Sequence, residues 1–86
     1  MKLFTLLSDA EAEQAERGNL RGDFLWVDNP LAEKAAHDAV WVTIEMPDNR
    51  MARFETRSDA GLAYREFRLP SRITNLHRAQ RVQLPL

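Results

Sequence analysis

The stretch Leu62-Ala63-Tyr64-Arg65-Glu66-Phe67-Arg68-Leu69-Pro70 decides how this 86-residue chain is read. It is the longest run with strand alternation. Leu62, Tyr64, Glu66 and Arg68 point to one face and Ala63, Arg65, Phe67 and Leu69 to the other. Pro70 has no amide hydrogen to give a ladder and ends the strand. The same run sets a carboxylate between two guanidiniums and one step from Tyr64, which is either a site or an ion-pair ladder.

Downstream, Ser71 to His77 fits one helical turn with Ile73 and Leu76 inward, and Arg78 to Leu84 a last strand with Val82 and Leu84 on one face. Upstream, Ser58-Asp59-Ala60-Gly61 is a turn, Met51 to Thr56 suits either a helical turn or a short strand, and Pro47-Asp48-Asn49 reverses the chain. Val40 to Met46 alternates, with Val40, Val42, Ile44 and Met46 on one face and Trp41, Thr43 and Glu45 on the other. Asn29 and Pro30 start a short helix with Leu31, Ala35 and Ala39 on its inner face. Phe24 to Val27 reads as a central strand.

Gly18 closes a helix over about Asp9 to Arg17, whose inner face is Ala12, Ala15 and Ala10. Ser8-Asp9-Ala10-Glu11 matches a capping box at its start. Leu3 to Leu7 is an interior strand covered on both faces. The sum is a single compact α+β domain over residues 1–86: a mixed or antiparallel sheet of about five strands, with two short helices on one side.

Composition narrows the function classes. The chain has no cysteine, so disulfide frameworks and cysteine-ligated metals are excluded. The apolar start ends at Ser8-Asp9 without a small-residue cleavage site, and no run approaches the roughly 20 apolar residues that span a bilayer. The expectation is a soluble cytoplasmic protein without a membrane partner. The net charge of −1 conceals an asymmetry: residues 1–49 carry four cations against ten carboxylates, a net of −6, and residues 50–86 carry eight arginines against three carboxylates, a net of +5. Arginine forks hold carboxylate and phosphate in bidentate fashion, so this half suits an acidic partner surface or a nucleic acid, while folding the two halves together would neutralise both. Arg50, Arg53, Arg57, Arg65, Arg68, Arg72 and Arg78 are the partner-binding candidates.

Few residues offer chemistry. His37 and His77 lie on different segments without a zinc-like carboxylate pattern and read as surface or helix-end histidines, so no metal is expected. No serine sits in a nucleophile-elbow context. Trp26, Trp41 and Tyr64 are either core or a stacking surface for a flat ring. Gly18-Asn19-Leu20-Arg21-Gly22 sets a cation between glycines, which lets backbone amides approach an anion, but its spacing is that of no phosphate-loop fingerprint. Glu66 is the strongest single candidate, held ionised by Arg65 and Arg68 or paired across the sheet for about 0.2–1 kcal/mol.

The apolar first strand, the helix ending at Gly18 with Leu20 after it, Phe24-Leu25-Trp26-Val27, and the late Tyr64-Arg65-Glu66-Phe67-Arg68-Leu69-Pro70 before a short helix and final strand resemble the ADP-ribosyltransferase-like families. The resemblance spans nearly the whole chain. It implies NAD as cofactor, Glu66 as the carboxylate that orients the nicotinamide ribose, and Thr5 at the first-strand cofactor position, with Arg21 and Tyr64 as further cofactor-binding candidates. The family's first-strand cation is missing beside Phe4-Thr5, and the length leaves little for a lid over a dinucleotide. The expected function is therefore a reduced, cofactor-free version: a small interaction protein, of the kind phages use to inhibit a host defence or nucleic-acid-processing complex. The alternative is a minimal NAD-dependent transferase centred on Glu66.

Overall fold

The computed structural model describes residues 1–30, 39–50, 52–57 and 65–83. The chain runs through β1 (Lys2–Ser8), α1 (Asp9–Glu16), β2 (Asp23–Val27), β3 (Ala39–Glu45), two 3-10 turns (Asp48–Arg50 and Ala52–Phe54), β4 (Glu55–Arg57), β5 (Glu66–Pro70), α2 (Ser71–Thr74) and β6 (Gln80–Val82). Among the described residues six strands form one antiparallel sheet in the order β4-β5-β2-β1-β3-β6, an α+β architecture with one strand more than expected. The extra strand comes from the ambiguous 51–56 region, which divides into a 3-10 turn and then β4.

Register assigns the faces, because residues directly opposite in an antiparallel pair share one. Leu3 faces Ile44, Thr5 faces Val42 and Leu7 faces Val40, while Phe24 faces Leu69 and Trp26 faces Phe67. These residues form the inner face of the sheet, and Ala12 and Ala15 of α1, Leu20 and Ala79 close the core over it. Small side chains on α1 let the helix axis lie close to the strands. Ala10 is exposed instead of inward, since two residues correspond to about 200° around a helix and place it opposite Ala12. The second face carries Phe4, Val27, Leu25, Glu66 and Arg68, as the pairs Phe4 with Val27, Val27 with Glu66 and Leu25 with Arg68 require.

The start of α1 is built as its sequence dictates. Ser8 Oγ accepts from the Glu11 amide and Glu11 Oε1 accepts from the Ser8 amide. Gly18 ends the helix at φ +74°, a left-handed conformation that costs other residues about 1–2 kcal/mol. The loop after it is tied to the far end of the chain: the Leu20 amide donates to Asn75 Oδ1, and Asn75 Nδ2 donates to the Leu20 carbonyl, both at 3.0 Å.

Several expectations are corrected. Ala39 begins β3 opposite Ser8 and is no helix residue; the rest of the helix expected from Pro30 lies outside the described residues, as do the Ser58–Gly61 turn, residues 62–64 of the opening strand, and Leu84. Arg65 precedes β5 and is not part of its ladder. Leu76, expected inward, is 73% exposed. A helix of four residues has room for one inner side on a single turn, and Ile73 and the buried Thr74 occupy it. No helix among the described residues is long and apolar enough to cross a membrane.

Candidate functional site

Glu66 sits on the second face, opposite Val27 on one side and Arg57, across a register irregularity, on the other. Thr56 Oγ1 donates to its carbonyl at 3.4 Å and approaches its Oε2 at 3.5 Å. Arg65 does not serve it. The Arg65 guanidinium turns to Glu55, donating from Nε and Nη2 to both carboxylate oxygens at 3.0 and 2.9 Å, and lies 5.1 Å from the centre of the Phe67 ring. The bond from Arg65 lowers the Glu55 carboxyl from its ordinary range and raises the guanidinium in turn. The Arg65 backbone is pinned as well: its amide donates to Asp28 Oδ1 at 2.8 Å and its carbonyl accepts from the Asp28 amide. Arg65 is thus a brace joining β4, β5 and the end of β2.

The remaining cofactor candidates lie elsewhere. Thr5 is 6% exposed on the inner face, its Oγ1 donating to the Leu25 carbonyl at 2.8 Å. Arg21 precedes the end of β2 that pairs with Pro70, whereas Glu66 pairs with the opposite end, about 13 Å along the strand. Tyr64 is outside the described residues. Thr5, Arg21 and Glu66 are therefore not brought together.

The arginines divide by partner. Arg81, not singled out from sequence, bridges the acidic half by donating from Nε to Glu16 at 2.8 Å and from Nη1 to Asp9. Arg65 is spent on Glu55. Arg50 closes the first 3-10 turn and Arg57 ends β4. Arg68 is exposed on the second face. Arg53, Arg72 and Arg78 are exposed, and none has an ion pair among the described residues.

Arg53 borders a groove of about 250 Å³ lined also by Met46, Phe54, Ile73, Leu76 and His77. Three segments build it: Met46 just after β3, the second 3-10 turn, and α2 with its exit. The exit stays tightly wound, with the Leu76 amide bonded to the Ile73 carbonyl and the His77 amide to the Thr74 carbonyl. This winding leaves Leu76 on the lip, facing water. Arg53 lies 5.7 Å from the centre of the Phe54 ring in the wall. The carboxylates beside Met46 are occupied: Glu45 and Asp48 lie 3.6 and 3.0 Å from the Met1 ammonium, whose pKa is raised chiefly by its hydrogen bond with Asp48. On the other side of Asn75 is an open polar depression of about 570 Å³ lined by Gln14, Gly18, Asn19, Leu20, Arg21 and Asn75.

Sequence reading named Arg53, Arg72 and Arg78 but missed Met46 and Leu76 as neighbours of a cationic rim. The available signal was Leu76 followed at once by His77 and Arg78, an apolar residue leading into an imidazole and a guanidinium at the end of a one-turn helix. Comparison with known proteins finds no matching family model, no matching curated protein and no matching solved structure.

Proposed function

We propose that this protein is an interaction module that grips an acidic partner surface with one end of the molecule, the end built from the second 3-10 turn, α2 and the segment leading to β6. One observation carries this reading: Arg53, Arg72 and Arg78 are exposed without ion pairs among the described residues, while Arg65 and Arg81 hold internal carboxylates. Guanidiniums without internal partners keep their full capacity for bidentate contacts to carboxylates. Of the arginines singled out from sequence, the reading keeps these three as the grip, gives Arg65 to the internal brace and leaves Arg68 on the other face.

The test is fluorescence anisotropy of labelled poly-L-glutamate titrated with the protein. Binding that weakens as salt rises from about 50 to 300 mM, and falls about tenfold or more in Arg53→Glu/Arg72→Glu/Arg78→Glu, supports the reading. Absence of binding at low salt overturns it. So does a thermal melt in which about 1 mM NAD raises Tm by several degrees in the parent chain and not in Glu66→Gln, because that result promotes the transferase instead.

A further inference from the structure

We infer that the occupant of the groove between Phe54 and Leu76 is a short acidic amphipathic helix, which inserts apolar side chains while its carboxylates meet Arg53, His77 and the neighbouring arginines. The inference rests on the proposed function and names the kind of partner that site takes.

At about 250 Å³ the groove is below the roughly 300–1,000 Å³ that hold a small molecule or cofactor. It has room for one or two aliphatic side chains. Met46, Phe54 and Ile73 form its apolar walls, and Leu76, 73% exposed, stands at the lip. An exposed leucine contiguous with the half-buried Phe54 and Ile73 gains when a partner covers it. An apolar floor alone would accept any greasy peptide, and charge decides among them. The rim carries Arg53 and His77, with Arg72 and Arg78 exposed on the same short segment as Leu76, and the nearby Glu45 and Asp48 are occupied by the Met1 ammonium. A peptide with basic flanks would be repelled and an acidic one attracted.

The binding mode follows from what builds the walls. An extended peptide adds to a sheet through a row of unpaired backbone groups. This groove is lined by side chains from a 3-10 turn and a helix exit, and by Met46, whose amide is already bonded to the Met1 carbonyl at 2.9 Å. Side chains spaced i, i+3 or i+4 on a helix present an apolar anchor with carboxylates beside it, which matches a short groove with the Arg53 guanidinium on its rim.

Three labelled peptides of equal length and equal negative charge distinguish the outcomes: one with leucines at i, i+4 and i+7 of a helix, one with the same leucines scattered, and one with serine for every leucine. The helical design is expected to bind at least tenfold tighter than the serine version, and Leu76→Ser to remove that advantage while Arg53→Glu weakens both. Leu76 is exposed, so its substitution leaves the fold intact, which far-UV circular dichroism verifies. If all three peptides bind equally and Leu76→Ser changes nothing, the helix inference falls and the acidic-surface reading stands. If none binds at about 50 mM salt, both fall. A 20-base-pair DNA duplex that binds at least tenfold tighter than every peptide, and loses that affinity in Arg53→Glu/Arg72→Glu/Arg78→Glu, overturns the inference in favour of nucleic acid.

Discussion

Asn75 fastens the loop after α1 to the end of α2 with one side chain, satisfying both backbone groups of the buried Leu20. Asn75→Asp keeps the acceptor and loses the donor, so the Leu20 carbonyl is left facing an oxygen. Removing the partner of a buried polar group costs about 1–3 kcal/mol, and urea unfolding at pH 7 is expected to show a loss in that range. Glu55 gives the pH counterpart. Its folded pKa is lowered by Arg65 from an ordinary value near 4.5, so its contribution is present above the unfolded pKa and disappears as pH falls through the folded one. The stability gap between the parent chain and Glu55→Gln is therefore expected at pH 6 and should shrink steadily toward pH 3. A gap that stays constant across that window would place the role of Glu55 in packing instead of charge.

At the scale of elements, α1 shows how a helix with only two buried alanines persists in a sheet protein. Ala12 and Ala15 bury little area, so the capping box at Ser8 and Glu11 and the left-handed Gly18 carry much of the specification. Ser8→Ala is expected to cost about 0.5–2 kcal/mol, with the loss read from the chemical denaturation midpoint at unchanged slope. The contrast with α2 is instructive. Its N-cap is Pro70, with no side-chain cap hydrogen bond, and a four-residue helix cannot sustain itself. It is held from outside by Asn75 and by Ile73 against the core, and its brevity is what puts Leu76 at the surface. The same capping logic that made α1 readable from sequence was silent about α2.

For the whole molecule, the charge asymmetry resolves into three destinations. Among the described residues Arg81 alone forms side-chain ion pairs from the basic half to carboxylates of the acidic half, at Asp9 and Glu16. Arg65 pairs within its own half at Glu55, and Arg17 within the other at Glu13. Mutual neutralisation of the halves is thus partial at the level of contacts. It leaves Arg53 in the wall of one groove and Arg72 and Arg78 exposed on the segment that supplies Ile73, Leu76 and His77 to it, while Glu66 and Arg68 belong to the second face of the sheet. This distribution underlies the salt-sensitive binding to acidic ligands proposed above, since exposed charges feel ionic strength over about 10 Å.

Local rules determined β1, β2, β3, α1 and the faces of Phe67 and Leu69, because alternation, capping residues and a stop at Gly18 or Pro70 act within a few positions of the residues they govern. The α+β class followed from their order. The turn of α2 and the strand β6 were likewise legible in residues 71–77 and 78–84, and the tertiary structure decided the rest. Strand β4 exists because β5 offers it an edge and Arg65 clamps Glu55, a pairing ten residues apart that no period announces. Thr5 and Glu66 part company because register, set by long-range pairing, puts neighbouring strand positions on opposite faces. The alternation predicted the inner face correctly at Phe67 and Leu69 and still misled about Arg65, whose long side chain reached a carboxylate on the adjacent strand instead of serving Glu66. Which arginines stay outward, and that Leu76 joins them, depends on where the carboxylates of distant segments come to rest, and only folding brings those segments together.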